Sequence, residues 1–274
     1  MRRSIRAIAA IPLFALVAHP MGAQLRPLEP INWRLLRGGA TVAGEAGFSR
    51  LSDQRASLAG TSGDLWEVGN ISLAWRTGRV VVEVAGTAQR FFRERSRFEE
   101  PYPDVEPAND DRRHDSGDFR ISTTIRLTPE EWPVRSAVRF GTRLPSTDNT
   151  TGLDRDAVDF FATVGASTLR GGLAFDSEAG IGIHSSREQS FEQDDLLLYA
   201  SRAEYRGWHI APSIAILGQL HGTTHAAIRG VENLGELRIG LRAGGRRWIR
   251  AEFVKGYEIV SPSSGVIVTG GIAH

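Results

Sequence analysis

Arginine and carboxylate side chains recur at two-residue spacings in this chain, a spacing that gathers them on one face of an extended strand. Arg120 and Arg126 share a parity within residues 118–127, and Arg135, Arg139 and Arg143 share one within residues 134–144. Five guanidinium groups on two neighbouring strands make a basic wall. Farther along, Asp159, Asp176, Glu178, Glu204, Glu236, Glu252 and Glu258 fall on the matching parity, interleaved with Arg202, Arg238, Arg242 and Arg250. Around an enclosed, water-filled space these faces set up a transverse field: the arginines attract anionic solutes and the carboxylates keep the path wet. The alternative is that the charges pair with one another and fill a closed interior. The near-equal totals, 33 Lys+Arg against 32 Asp+Glu, suit that reading as well.

Covalent catalysis has weaker support. The chain has no cysteine, which excludes thiolate nucleophiles, thiolate metal sites and disulfides. His184 and His221, with Ser185 or Asp194, outline a hydrolase at the rim of the fold, while His209 falls at a different height. Nothing marks a nucleophile, because the Gly-x-Ser-x-Gly elbow does not occur. The expectation is therefore a protein that is not an enzyme, with no catalytic residues, cofactor or metal. Glu99, Glu100, Asp104, Glu106, Asp110, Asp111 and Asp115 surround Pro101, Pro103 and Pro107, but their spacing is not that of an EF-hand loop, and the stretch reads as a mobile, solvated extracellular loop. A net charge of +1 leaves no basic excess with which to bind nucleic acid.

Strands must position these side chains. Opposite the arginines stand Phe119, Ile121, Ile125 and Leu127, then Val134, Val138, Phe140 and Leu144. The same two-residue division recurs at Val158–Ala166, Leu173–Ile183, Leu237–Leu241 and Ile249–Phe253, and helical periodicity is absent throughout. The class is all-β.

Tight turns at residues 77–78, 128–131, 170–172, 206–207 and 244–245 alternate with long polar segments at residues 49–64, 94–117, 145–155, 185–194 and 221–233. Short connections at one end of every hairpin and long ones at the other characterise a transmembrane antiparallel up-and-down barrel, here of about 12 strands. A Greek-key sandwich mixes its loop lengths at both ends. Trp75, Trp132, Trp208 and Trp248 lie close to short turns and are expected to form a girdle at the periplasmic interface. Phe92, Phe119, Phe160, Tyr199 and Tyr257 are expected to form the second girdle. Lys255, the single lysine, falls on the lipid-facing parity and is expected at the rim, because a lysine at the bilayer midplane is costly.

Residues 1–23 carry Arg2, Arg3 and Arg6, an apolar run from Ala7 to Ala18 and the small-residue end Met21-Gly22-Ala23, the pattern of a cleaved signal peptide. Residues 24–38 follow as a periplasmic lead-in, and residues 39–274 form the barrel. The expected location is the outer membrane of a Gram-negative bacterium. The expected partners are outer-membrane lipid and lipopolysaccharide, the barrel-assembly machinery and a small solute, anionic or aromatic. A closed structural or adhesion barrel with functional extracellular loops is the alternative to a channel.

The stretch Gly141-Thr142-Arg143-Leu144-Pro145-Ser146-Thr147, followed by Gly152-Leu153-Asp154-Arg155-Asp156 and the strand 158–161, resembles the lysine/arginine-Leu-Pro signature of the outer-membrane family labelled "MetA-pathway of phenol degradation". About thirty residues carry the resemblance. It implies an exported β-barrel and a channel for hydrophobic or aromatic compounds, and it implies no catalytic residue.

Overall fold

The computed structural model describes residues 26–38, 40–145, 149–153, 158–185, 193–221 and 229–274; residues 1–23, read as a signal peptide, lie outside them. Among these residues the strands are β1 (Val42–Ala56), β2 (Thr61–Thr77), β3 (Val80–Arg97), β4 (Arg112–Asp115), β5 (Phe119–Arg126), β6 (Val134–Leu144), β7 (Asp159–Arg170), β8 (Leu173–Ser185), β9 (Gln193–Tyr205), β10 (Ile210–His221), β11 (Leu234–Gly244), β12 (Arg247–Gly256) and β13 (Ser264–Ala273), preceded by one short helix, α1 (Trp33–Leu36). Each strand pairs antiparallel with its neighbours, and the pairing of β1 with β13 closes the sheet into a barrel of twelve staves. The short β4 continues the line of β5 and pairs with the upper part of β3. Closure leaves no free edge, which a sheet in hydrocarbon requires because nothing there can hydrogen-bond an exposed backbone. Among the described residues no helix is long and apolar enough to cross a membrane.

The two faces divide as the alternation dictates. Ile71, Leu73, Val84, Ile121, Phe140, Val164, Ile181, Ile214, Ile239, Phe253 and Val268 stand exposed on the outer wall, where only a bilayer covers them. The nine steps from Trp66 to Trp75 on β2 rise about 23 Å along the barrel axis, at about 3.3 Å per residue and a tilt of about 40°, which is the height of a lipid-facing belt. Trp75, Trp132 and Trp208 project outward at the short-turn end. Trp248 does not: it is buried on the parity of Arg250 and Glu252, so its ring belongs to the interior. Phe92 is likewise absent from the upper girdle, being 1% exposed inside the barrel.

Two long segments are more structured than their polar composition suggests. Residues 49–64 form the upper halves of β1 and β2, joined by a tight turn in which Gly60 takes a positive φ of 66°. Polar residues pair as strands here because the hairpin continues beyond the bilayer, where its outer face meets polar surroundings while Leu51, Ala56 and Leu65 are buried inward. The acidic segment 94–117 is also ordered. Buried Arg113 donates to Glu94 at 2.5 Å, to the Glu106 carbonyl at 2.7 Å and to the Thr151 carbonyl at 2.9 Å. Val105 packs beneath it with Leu51, Leu58, Ala59, Leu65, Phe92, Leu153, Val254 and Ile267. This apolar cluster roofs the extracellular end of the lumen.

Candidate functional site

The expected periplasmic lead-in is described from Arg26 onward, and residues 26–38 run inside the barrel. At the short-turn end Trp33, Leu35 and Leu36 of α1 pack against Ala43, Ala74, Val81 and Ala137, small inward-facing residues that leave room for a helix turn. Gly165 on β7 serves the same purpose. A Cβ at that position would lie 2.9 Å from Ile31 Cδ1 and 3.0 Å from Trp33 Cζ2. Toward the loop end, Leu28 packs against the cluster of Phe161, Leu196, Leu198 and Val231.

Polar anchors fix this plug to the wall. Glu178 on β8 accepts the Ile31 backbone N–H at 2.9 Å and Arg139 Nη2 at 2.6 Å, and the Thr163 hydroxyl donates to it as well. Arg139 also donates to the Glu29 carbonyl at 2.9 Å, and Arg126 to the Leu36 carbonyl at 3.0 Å. Arg37 pairs with Asp176 at 2.5 Å, Arg34 with Glu204 at 3.1 Å, and Arg26 with Glu236 at 3.2 Å and Glu67 at 3.3 Å. Glu29 receives Arg238 at 2.8 Å. Each of these wall charges faces a low-dielectric interior and stays there because a partner of opposite sign reaches it.

The lining residues expected from the alternation face the interior, and they divide into three groups. Arg126, Arg139, Asp176, Glu178, Glu204, Glu236 and Arg238 hold the plug. Arg143 bridges Asp118 at 3.0 Å and Asp159 at 2.7 Å, Arg202 meets Glu252 at 3.0 Å, and Arg242 reaches Glu204 at 3.4 Å and the Gly244 carbonyl at 2.8 Å, all contacts within the wall. Arg250 stacks over Trp248 at 5.0 Å and lies 3.9 Å from Glu252. Arg135 is the outlier: it binds the Glu130 carbonyl at the periplasmic mouth, at 2.8 and 3.1 Å, and takes no part in the lumen wall.

Arg120 remains. Among the described residues it has no carboxylate within ion-pair distance, although it lines the lumen. Glu29 of the plug and Glu83 on β3 are the carboxylates that act on it across the lumen; Glu83 accepts the Ser72 hydroxyl at 3.1 Å. Glu45, Ser72, Ala85 and Arg120 occupy one continuous row of the sheet, through the pairs Glu45–Ser72, Ser72–Ala85 and Ala85–Arg120. A cavity of about 230 Å³ runs around the plug and is lined from both sides of the barrel, by Glu45, Glu83 and Arg120 and also by Asp176, Glu204 and Glu252. Polar contacts tie the plug mainly to β5–β11, while Glu67 on β2 is a further anchor and α1 packs on residues of β1, β2 and β3.

The alternation did not mark Arg26, Glu29, Arg34 and Arg37, because they lie outside any strand. A signal was nevertheless present: a segment in water has no reason to carry Ile31, Trp33, Leu35 and Leu36 beside its charges. Glu45, Glu67, Glu83 and Arg90 lie on strands where apolar and charged residues do not alternate cleanly, as in Val80-Val81-Val82-Glu83-Val84-Ala85, so parity alone does not single them out. The hydrolase grouping is not assembled. His184 is 3% exposed inside the barrel, its Nε2 3.8 Å from Asp159, whereas Ser185 takes the opposite parity and donates to the Val158 carbonyl. The side chain of Asp194 lies outside the described residues.

A closed, plugged, twelve-stave barrel with an apolar outer belt is the fold of a bacterial outer-membrane protein. An outer membrane channel from Pseudomonas putida F1 superposes with a TM-score of 0.60 at 11% identity, over 91% of this chain and 98% of that one. Outer membrane phospholipase A from Escherichia coli gives 0.45 at 11% identity, over 85% of this chain and 90% of that one. The CymD monoaromatic hydrocarbon channel gives 0.42 at 11% identity, over 88% and 90%. No family model and no curated protein matches the sequence. The short Arg143-Leu144-Pro145 resemblance therefore narrows to the fold, that of an outer-membrane barrel. Arg143 itself serves there as a buried structural bridge.

Proposed function

We propose that the chain is an outer-membrane channel for small solutes whose lumen is held closed by its own N-terminal segment. The observation that carries this reading is the nature of the filling. A barrel that is merely structural can fill its interior with wall side chains; here the centre is occupied by a separate length of chain, residues 26–38. Around it remains a cavity whose lining includes Arg120, Glu45 and Glu83, which make no ion pair among the described residues. Withdrawal of the segment leaves a continuous charged lumen between the apolar roof and the periplasm. The guanidinium groups that line the lumen favour small anionic solutes.

The roof of ordered loops is the observation that favours the other reading, a closed barrel whose extracellular surface is the functional part. Planar-bilayer recordings separate the two. The intact barrel is expected to open rarely, and a variant lacking residues 26–37 to conduct steadily with anion preference. A folded deletion variant that stays silent establishes the closed barrel instead.

A further inference from the structure

The outer wall carries a second charged feature, independent of the lumen. At the loop end of the lipid-facing belt Arg50 on β1, Trp66 on β2, Phe91 on β3 and His114 on β4 form one row of the sheet, through the pairs Arg50–Trp66, Trp66–Phe91 and Phe91–His114. All four face outward, since their neighbours Leu51, Leu65, Phe92 and Arg113 are buried inside. One row higher, Arg93 stands directly opposite Arg112. Both are exposed, and among the described residues neither has a carboxylate within ion-pair distance. Arg50 stacks over Trp66 at 5.7 Å and likewise has no carboxylate partner. Asp64, directly opposite Arg93 across the β2–β3 ladder, is buried and is engaged by Arg95 at 2.6 Å. Lys255 projects outward from the end of β12, two strands from Arg50.

Like charges directly opposite across a ladder repel, and a surface keeps such a pair at little cost only where an anion lies between them. The height of this arc decides which anion. Below it Phe91, Val68 and Phe48 are exposed to hydrocarbon, and Trp66 stands at the interface level that amphipathic rings prefer. The arc therefore lies where the headgroups of the outer leaflet begin. We propose that Arg50, Arg93 and Arg112 bind the phosphorylated sugar headgroup of lipopolysaccharide, with Trp66 and Phe91 against its acyl chains. Guanidinium groups engage phosphate bidentately, and an arc of three spaced cations suits a headgroup that carries more than one phosphate. The proposal requires the outer-membrane placement of the barrel and makes no use of conduction.

The test is retention of purified diphosphoryl lipid A by the full-length barrel in detergent, quantified by native mass spectrometry. Wild type is expected to retain it and R93A/R112A to bind about tenfold more weakly, with R50A adding to the loss. R246A/R247A at the periplasmic turn is expected to match wild type. Because these side chains are exposed, the variants keep the heat-resistant barrel mobility that reports folding. Equal retention by wild type and R93A/R112A overturns the site. So does retention of phosphatidylglycerol in preference to lipid A, and so does loss of lipid A in EDTA, which assigns binding to divalent cations bridging Asp110 and Asp111.

Discussion

Gly165→Leu tests the plug without removing a lumen charge. Even a Cβ at this position would lie 2.9 Å from Ile31 Cδ1 and 3.0 Å from Trp33 Cζ2, closer than such atoms approach without something moving. The two nearest atoms belong to the plug and the third, the Ser177 carbonyl oxygen at 3.2 Å, to the neighbouring strand, so docking absorbs most of the conflict. Overpacking a fitted interface costs about 1–3 kcal/mol, and four added carbons aimed at two buried side chains place this variant near the upper end. A loss of about 3 kcal/mol lowers the ratio of docked to released plug roughly 150-fold. Trypsin reports that ratio directly, because Arg34 and Arg37 are cleavage sites that docking shields. Folded G165L in detergent is expected to be cut at these arginines far faster than wild type, and its open probability in bilayers is expected to rise in step. A folded variant that is as protected and as silent as wild type refutes the reasoning.

The charged wall gives two further expectations. Arg120→Ala removes a lumen guanidinium that makes no ion pair among the described residues and is expected to lower the anion preference of the open channel while leaving stability nearly unchanged; reversal potentials under a salt gradient measure it. Arg143→Ala is the contrast, since it removes the buried cation that bridges Asp118 and Asp159 and is expected to destabilise the barrel by about 3–5 kcal/mol in urea unfolding. If the two variants exchange phenotypes, the division between paired and free arginines is wrong.

Much of the architecture was legible because its signal is local. Alternation at Phe119–Leu127 and Val134–Leu144 assigns lipid and lumen faces residue by residue, and the turns at 77–78, 170–172 and 244–245 close hairpins at one end. Local polarity misled where strands leave the bilayer. Residues 49–64 and 94–97 read as loop because polar residues dominate them, yet they continue the ladder, with Leu51 and Ala56 buried inward. Trp248 was placed by its distance from a turn, although the parity it shares with Arg250 already pointed it inward.

The sequence alone therefore determined an all-β barrel, its two faces and the identity of the charges lining its interior, because a period of two is written in neighbouring residues. The tertiary structure decided what those charges do. Arg26 meets Glu236 across 210 positions and Ile31 meets Glu178 across 147, and no local pattern encodes such partners. Closing the barrel around residues 26–38 neutralises most of the wall and leaves Arg120, Glu45 and Glu83 without an ion pair among the described residues. An arginine becomes a structural bridge, a plug anchor or a bare charge according to which distant carboxylate the closed cylinder brings within reach.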